Sequence, residues 1–446
     1  MEQNKQPQEN SAAKAGILSI NGLSYSLSPD LSVVTSRTNV KQFFTRRAYT
    51  PGSTMVAILN TGASYIYGGD SFLVLDVSCP DFGGSGTNKQ CTFGSGTAAN
   101  LIQRITVLTR SGQVVERVEK LNQLAHTVMH YTKPTEWFRS VGQAAGYNRH
   151  IPADGATIVR FAIPMSLISG LFTYEHLLPS ALMSGLRIEI ELAPGSDALA
   201  VKCEGTLAPT KTPDYTIVNC HISVDSYQIT DSCLRQLNAQ ASSGGMEVVF
   251  NTYHNSLNSR ANTQLNIECR KAVSRGLMTF IKTTDTRGFK ADGSTDLTTY
   301  AEDPMKSTPI TSTSGLTSYQ FQAGSLYWPN SQVTGETPEI LAPEAFSHTL
   351  RAFKRYTAGV GPFLTYEGYV KRTDDEKKIE VSQNVVACDL ERTYVQSLSG
   401  IPLSNSRSLA FNATYADKPT TPLNVSFFLC YTTLVRVFVS NATIEI

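Results

Sequence analysis

Charged side chains are scarce in this sequence. Asp, Glu, Lys and Arg make up 17% of its 446 residues, against about 25% in ordinary soluble domains. Interface cores are depleted of Lys, Glu and Asp, so a chain that meets other subunits over much of its surface has such a composition. A β-rich protein with a Ser-, Thr- and Asn-rich surface has it too, and composition alone leaves both open. Nor does one sign dominate: the formal net charge is +1, and no global basic field marks a nucleic-acid partner. Residues 1–30 hold Lys5 and Lys14 against Glu2, Glu9 and Asp30. Counterion release from phosphates needs clustered Lys or Arg, so this arm is not expected to neutralise a genome, and no sequence-specific nucleic-acid contact is expected.

The patterns that carry chemistry are missing as well. Cysteines stand at positions 79, 91, 203, 220, 233, 269, 388 and 430 with no C-x-x-C pair, which removes the zinc and thioredoxin-like readings. A secreted disulfide scaffold is denser, and the polar opening Met1–Asn10 does not read as a signal peptide; free thiols in a reducing compartment are expected. The dipeptide Gly-Lys is absent, and with it a P-loop. The Gly83–Gly86 and Gly94–Gly96 stretches lack the lysine and following helix that phosphate binding requires, and read as flexible loop tips. No G-x-S-x-G elbow occurs. His126 and His130 have the i, i+4 spacing of two metal ligands, but no glutamate follows the first, so a structural pair is expected. Asp374-Asp375, Arg46-Arg47 and Lys354-Arg355 are short charged clusters expected to be solvated. The sequons at Asn412, Asn424 and Asn441 read as accidental without a secretion signal. The longest apolar stretch, Leu423–Val439, is broken by Asn424, Ser426, Thr432, Thr433 and Arg436 and reads as sheet core rather than a membrane span, which needs about 20 predominantly apolar residues. No catalytic, cofactor-binding or metal-ligating residue emerges, and no enzyme.

What is present is a dense run of strand signals over a hydrophobic fraction of 41%. Short β-branched and aromatic runs bounded by Gly, Pro, Asn and Ser predict strands at Ser32–Phe44, Thr54–Leu59, Ser71–Ser78, Leu101–Thr109, Thr157–Ile163, Leu186–Leu192 and Tyr215–Ile229. A second set falls at Met246–Tyr253, Thr263–Cys269, Leu277–Thr283, Ser318–Tyr327, Ile379–Asp389, Ser408–Thr414 and Leu423–Ile446, the last as two strands. In Leu186–Leu192 every second residue is apolar, so one face is buried while Arg187, Glu189 and Glu191 face away. Ser111-Gly112 turns one strand into Val114–Val118, after which Val118, Leu121, Ala125, Val128 and Met129 recur at helical spacing. A second helix is predicted at Ser232–Ala241, and Gly244-Gly245 beyond it marks a boundary.

This predicts an all-β chain of two tandem β-sandwiches: an arm (1–30), a first sandwich (31–230), a linker helix and turn (231–245) and a second sandwich (246–446). No sequence repeat aligns the halves. Long polar connections at 284–317 and 330–344 are expected to be ordered loops with a job, in towers or contacts with neighbours.

Several stretches, in order, resemble the double jelly-roll major capsid proteins of small double-stranded DNA viruses, of the polinton-like virus and virophage type. They are Leu101–Val107 with Ser111-Gly112 and Glu116–Leu124; Ile163–Phe172 with Leu178-Pro179 and Leu186–Leu192; Tyr319–Pro329; Leu390–Arg392; Leu398–Leu403; and the closing Tyr431–Ile446. The resemblance implies two jelly rolls per subunit, standing side by side, and a homotrimeric capsomer with a pseudo-hexagonal outline. Such capsomers tile an icosahedral virion shell assembled in the host cell around a double-stranded DNA genome, with a separate penton protein and minor capsid proteins as partners. The competing readings are a β-sandwich viral spike or carbohydrate- or receptor-binding module, and an enzyme on a jelly-roll scaffold. The latter needs clustered His and carboxylate on adjacent strands, and the histidines are scattered.

Overall fold

A computed structural model describes residues 33–83, 86–204, 212–259, 264–281, 316–334, 343–356, 361–366, 369, 385–391, 400–403, 409–415, 424–438 and 442–445. Eight principal strands precede residue 230: β1 (Val34–Phe43), β2 (Thr54–Ile58), β3 (Tyr65–Ser78), β4 (Ile102–Leu108), β5 (Val114–Glu119), β6 (Val159–Pro164), β7 (Arg187–Leu192) and β8 (Thr216–Ile229). They form two antiparallel sheets in the orders β1-β8-β3-β6 and β2-β7-β4-β5. Eight more follow residue 245: β9 (Met246–Ser259), β10 (Gln264–Ile267), β11 (Ala272–Ile281), β12 (Leu316–Ala323), β13 (Leu326–Thr334), β14 (Val385–Asp389), β15 (Leu409–Tyr415) and β16 (Asn424–Val437). Their orders are β9-β16-β11-β14 and β10-β15-β12-β13. Adding eight to each label of the first sandwich reproduces the second. Chains that switch sheets in this way make jelly rolls, so the fold is a tandem double jelly roll, although the halves share no alignable sequence.

Alternation explains each layer. Along β7, Ile188, Ile190 and Leu192 are at most 1% exposed. Their neighbours Arg187 and Glu189 pair with each other on the other face, and Glu191 pairs with Arg104 of β4. On the outer face of the β1-β8-β3-β6 sheet, Arg160 forks onto Asp76 across the β6–β3 register, and Asn39 donates to Asp225 at 2.7 Å. The second core is built on Phe321, Phe411 and Phe427, whose rings lie 5.1 to 5.5 Å apart.

Among the described residues, three helices of eight residues or more join these strands: α1 (Leu121–Thr132), α2 (Asp231–Ser243) and α3 (Pro343–Ala352). α1 lies between β5 and β6, and α3 in the equivalent place between β13 and β14. α2 links the sandwiches and ends at Gly244, after which Gly245 takes φ +80° and turns the chain into β9; that conformation costs glycine nothing. Among the described residues, no helix is long and apolar enough to cross a membrane.

Several expectations need correction. Ser318–Tyr327 is not one strand but the hairpin β12–β13, turned at Gly324 with φ +63°; the two-residue turn Gly324-Ser325 sits inside an otherwise apolar and aromatic run. The connection expected at 330–344 is strand to Thr334 and helix from Pro343. β13 runs on through Trp328-Pro329, because it is an edge strand, and an edge tolerates a missing N–H. The connection expected at 284–317 ends in strand, since Leu316 and Thr317 open β12; its remainder lies outside the described residues, as do 379–384 of the strand expected at Ile379–Asp389. A small sheet of Thr87–Thr92, His150–Pro152 and Ala200–Glu204 was not anticipated. Gly94–Gly96 is no flexible tip: Gly96 is buried and donates to the Phe93 carbonyl, which also accepts from Asn100 Nδ2 at 3.0 Å.

Candidate functional site

The buried apolar residues of both sandwiches form one contiguous cluster, where separate domains each have their own. The two jelly rolls are therefore packed together, and their junction is a specific polar construction. It has two parts.

The first part centres on Glu116 of β5, 1% exposed although its strand neighbour Val115 is also buried. Successive strand residues face opposite sides, so burial of both means that the second sandwich covers the outer face of β5. The Glu116 carboxylate accepts from Ser169 Oγ at 2.5 Å, Gly170 N at 2.8 Å and Leu171 N at 3.4 Å, all on the connection after β6. It also accepts from Thr252 Oγ1 of β9 at 2.6 Å. One side chain thus ties a loop of the first sandwich to the leading strand of the second. Gly170 presses so closely on β9 that a Cβ there would lie 2.0 Å from the Asn251 carbonyl oxygen. Beside this contact runs a groove of about 350 Å³ lined by Arg117, Glu119, His254, Lys271 and Tyr431. Lys271 Nζ donates to Tyr431 Oη at 2.5 Å; burial lowers the lysine pKa and raises that of the phenol.

The second part is the end of α1. The last carbonyls of a helix lack partners inside it; here the second sandwich supplies them. Phe363 N donates to the Lys133 carbonyl at 2.8 Å and Leu364 N to that of His130 at 3.2 Å. Phe363 packs 4.2 Å from Phe138. Tyr131, fully buried, stacks on Phe353 at 4.9 Å and 13°. The guanidinium of Arg275 lies 5.5 Å from the Phe353 ring on the way to Tyr253 Oη.

Burial holds the Glu116 carboxyl above the usual range, while the bonds from Ser169, Thr252, Gly170 and Leu171 work in the other direction. An acid with a higher pKa folded than unfolded binds more protons in the folded state. The stability it costs is fully present above its folded pKa and is recovered as pH falls through that value. Glu116→Gln removes this dependence. The difference in unfolding free energy between wild type and variant is therefore expected to move in favour of wild type as pH falls from neutral to about pH 4; a constant difference overturns this. Tyr431, Lys271 and His254 are present in both proteins and cancel.

The residues singled out by sequence fall elsewhere. His126 and His130 lie in α1 with ring centroids 4.3 Å apart; burial pushes the His126 pKa down to about 3, so it is neutral. No group of three or more His, Cys, Asp or Glu side chains fit to hold a metal occurs among the described residues. Arg46 and Arg47 are exposed, and Lys354 pairs with Glu391 at 3.0 Å. Asn412 sits mid-sheet, bonded to Gln322. Asp374-Asp375 and Asn441 lie outside the described residues. All eight cysteines are free thiols, and all but Cys233 are buried. Sequence reading missed Glu116, Tyr131, Gly170 and Thr252. A glutamate on the polar face of an alternating strand reads as solvated, and nothing local says that another sheet covers it.

By class, then, the fold is a double jelly roll with the two rolls locked side by side. No family model and no curated protein matches the sequence. Solved structures do match the fold. The chain is similar to the capsid of the virus PBCV-1, with a TM-score of 0.61 at 10% identity, covering 95% of this chain and 99% of that one. It is similar to the virophage Sputnik, with 0.58 at 8% identity over 100% and 93%. The mavirus major capsid protein gives 0.50 at 10% identity over 100% and 96%. The fold is that of viral major capsid proteins.

Proposed function

We propose that this chain is a viral major capsid protein and not an enzyme. Its parts are an arm (1–30), a first sandwich (31–230), a joining segment (231–245) and a second sandwich (246–446). The observation that carries the reading is the identical strand order of two tandem jelly rolls, matched along nearly the whole length of capsid proteins. Three copies form a capsomer with six sandwiches and a pseudo-hexagonal outline, and capsomers tile an icosahedral shell around double-stranded DNA. Penton and minor capsid proteins complete the shell, and the protein resides in the virion after assembly in the host cell. Heterologous contacts of this kind close into rings, and jelly rolls leave few strand edges free to pair at random.

Negative-stain electron microscopy and sedimentation of the purified chain test this. Particles with a hexagonal outline and three times the monomer mass, or shells, are expected. Lone globules at every concentration overturn the reading and favour a spike or receptor-binding module.

A further inference from the structure

His126 is a titratable group shut inside an apolar interior. It is 5% exposed, and neither nitrogen of its ring has a hydrogen-bond partner. An unpaired polar group buried in this way costs folding free energy even when neutral, and an unpaired ion costs far more. Its ring lies 4.3 Å from that of His130, one helical turn on and also buried. His130 Nδ1 donates to the His126 carbonyl at 2.9 Å; a carbonyl only accepts, so this nitrogen carries a proton. On its other side the His130 ring meets the aromatic seal, 5.2 Å from Phe138 and 5.5 Å from Phe363. Phe363 belongs to the second sandwich, and with Leu364 it caps the last carbonyls of α1. From His126 through His130 to Phe363, two ring contacts lead from the first sandwich into the second.

The groups around these rings give an imidazolium nothing to pair with. The elements of the first sandwich packed on α1 include Ala98–Leu101, β4 and Met165–Ile168. Their one charged side chain, Arg104 of β4, is paired with Glu191. α1 itself carries no carboxylate. Beyond its end stand two cations, Lys133 and Arg355 of the second sandwich, which act against each other. The phenols nearby are Tyr131 and Tyr147, both kept neutral by burial. Burial likewise holds the His126 ring neutral.

We propose that His126 is the trigger of an acid-sensitive latch: when its ring takes up a proton it leaves the apolar interior, α1 shifts with His130, and Phe363 and Leu364 release the helix end, so that the two sandwiches part on this side of their junction. The sign follows from linkage. In the closed chain the ring takes a proton only at about pH 3, whereas an exposed imidazole does so at about pH 6.5. The open form therefore holds more protons, and the closed form loses its advantage progressively as pH falls below about 6.5. Glu116 acts in the opposite direction. The latch belongs to the single chain, so its failure leaves the assembly reading standing.

Hydrogen exchange read by mass spectrometry on the full chain tests this, with His126→Phe as a variant that keeps a ring and cannot titrate. The signal is the peptide holding Phe363 and Leu364, whose amides are covered while they cap α1. Comparing the two proteins at one pH cancels both the pH dependence of chemical exchange and the contribution of Glu116. Equal protection is expected at about pH 7.5. At about pH 5, opening of this peptide in wild type is expected to exceed that in the variant by about 30-fold, a factor of ten per pH unit below the free imidazole value. Peptides of β8 and β16, inside the two sheets, are expected to stay protected. His126→Gln, neutral and polar, is the second variant if the phenylalanine does not fit, and it is expected to be as insensitive to acid. An equal acid response in wild type and in either folded variant overturns the proposal, and so does wild-type protection that is unchanged between the two pH values. Loss of protection in β8 and β16 together with Phe363 means that the whole chain unfolds, and overturns it too.

Discussion

Gly170→Ala is expected to cost the folded chain about 3 kcal/mol or more, as forced overpacking at a rigid site does. A Cβ at this position meets the Asn251 carbonyl oxygen at 2.0 Å, the Asn251 carbonyl carbon at 3.0 Å and Glu116 Oε1 at 3.0 Å. Two of the three are backbone atoms of β9, held by its ladder to β16 along fourteen residue pairs, so the strand has no rotamer to change. The loop must retreat instead, and in retreating it stretches the Gly170 N–Glu116 bond of 2.8 Å and withdraws Ser169 Oγ from the same carboxylate. Neither sandwich core is touched. Calorimetry is expected to show two separated unfolding transitions in place of a coupled one, since domains that lose their interface lose shared cooperativity. Gly244→Ala is the control: nothing lies within 4 Å of its Cβ and its φ is −147°, so stability within about 0.5 kcal/mol of wild type is expected. Equal effects from the two variants would show that the close approach at Gly170 has no part in joining the sandwiches.

Tyr131→Ala is expected to cost about 4 kcal/mol, in the range for removing a buried aromatic side chain. The ring is fully buried and stacked on Phe353, and its hydroxyl accepts from the Val385 backbone N–H, so one residue of the first sandwich reaches into the second. Tyr131→Phe keeps the stack and loses the hydrogen bond. About 1 kcal/mol is expected for that change, the ordinary net worth of one hydrogen bond. Urea unfolding of both variants measures the ratio. Equal losses would assign the effect to the hydroxyl rather than to the packed ring.

Strand positions were widely legible because their signal is local. Apolar residues at every second place in Leu186–Leu192 follow from a sheet with one wet face, and β7 occupies Arg187–Leu192 with that parity. The helix expected after Val118 and the one expected at Ser232–Ala241 appear as α1 and α2, for the same reason at a period of 3.6. Legibility failed where two local signals overlapped. Aromatic and apolar residues on both sides of Gly324-Ser325 read as one run and concealed a hairpin, whose second strand continues through Pro329. It failed again at α3, which begins inside a stretch of Pro, Gly and Thr that reads as loop.

The junction was not legible at all. Glu116, Gly170 and Thr252 are separated by 54 and 82 positions along the chain. Each on its own has an ordinary reading: a wet-face glutamate, a turn glycine, a strand threonine. Sequence by itself determined an all-β chain, its strand periodicity and its lack of recognisable catalytic motifs, since hydrophobic period and residue chemistry act over a few residues. Only the tertiary structure decided that both halves share one strand order and that a carboxylate is buried between them. Those facts depend on which distant surfaces meet, and local propensity carries no record of that.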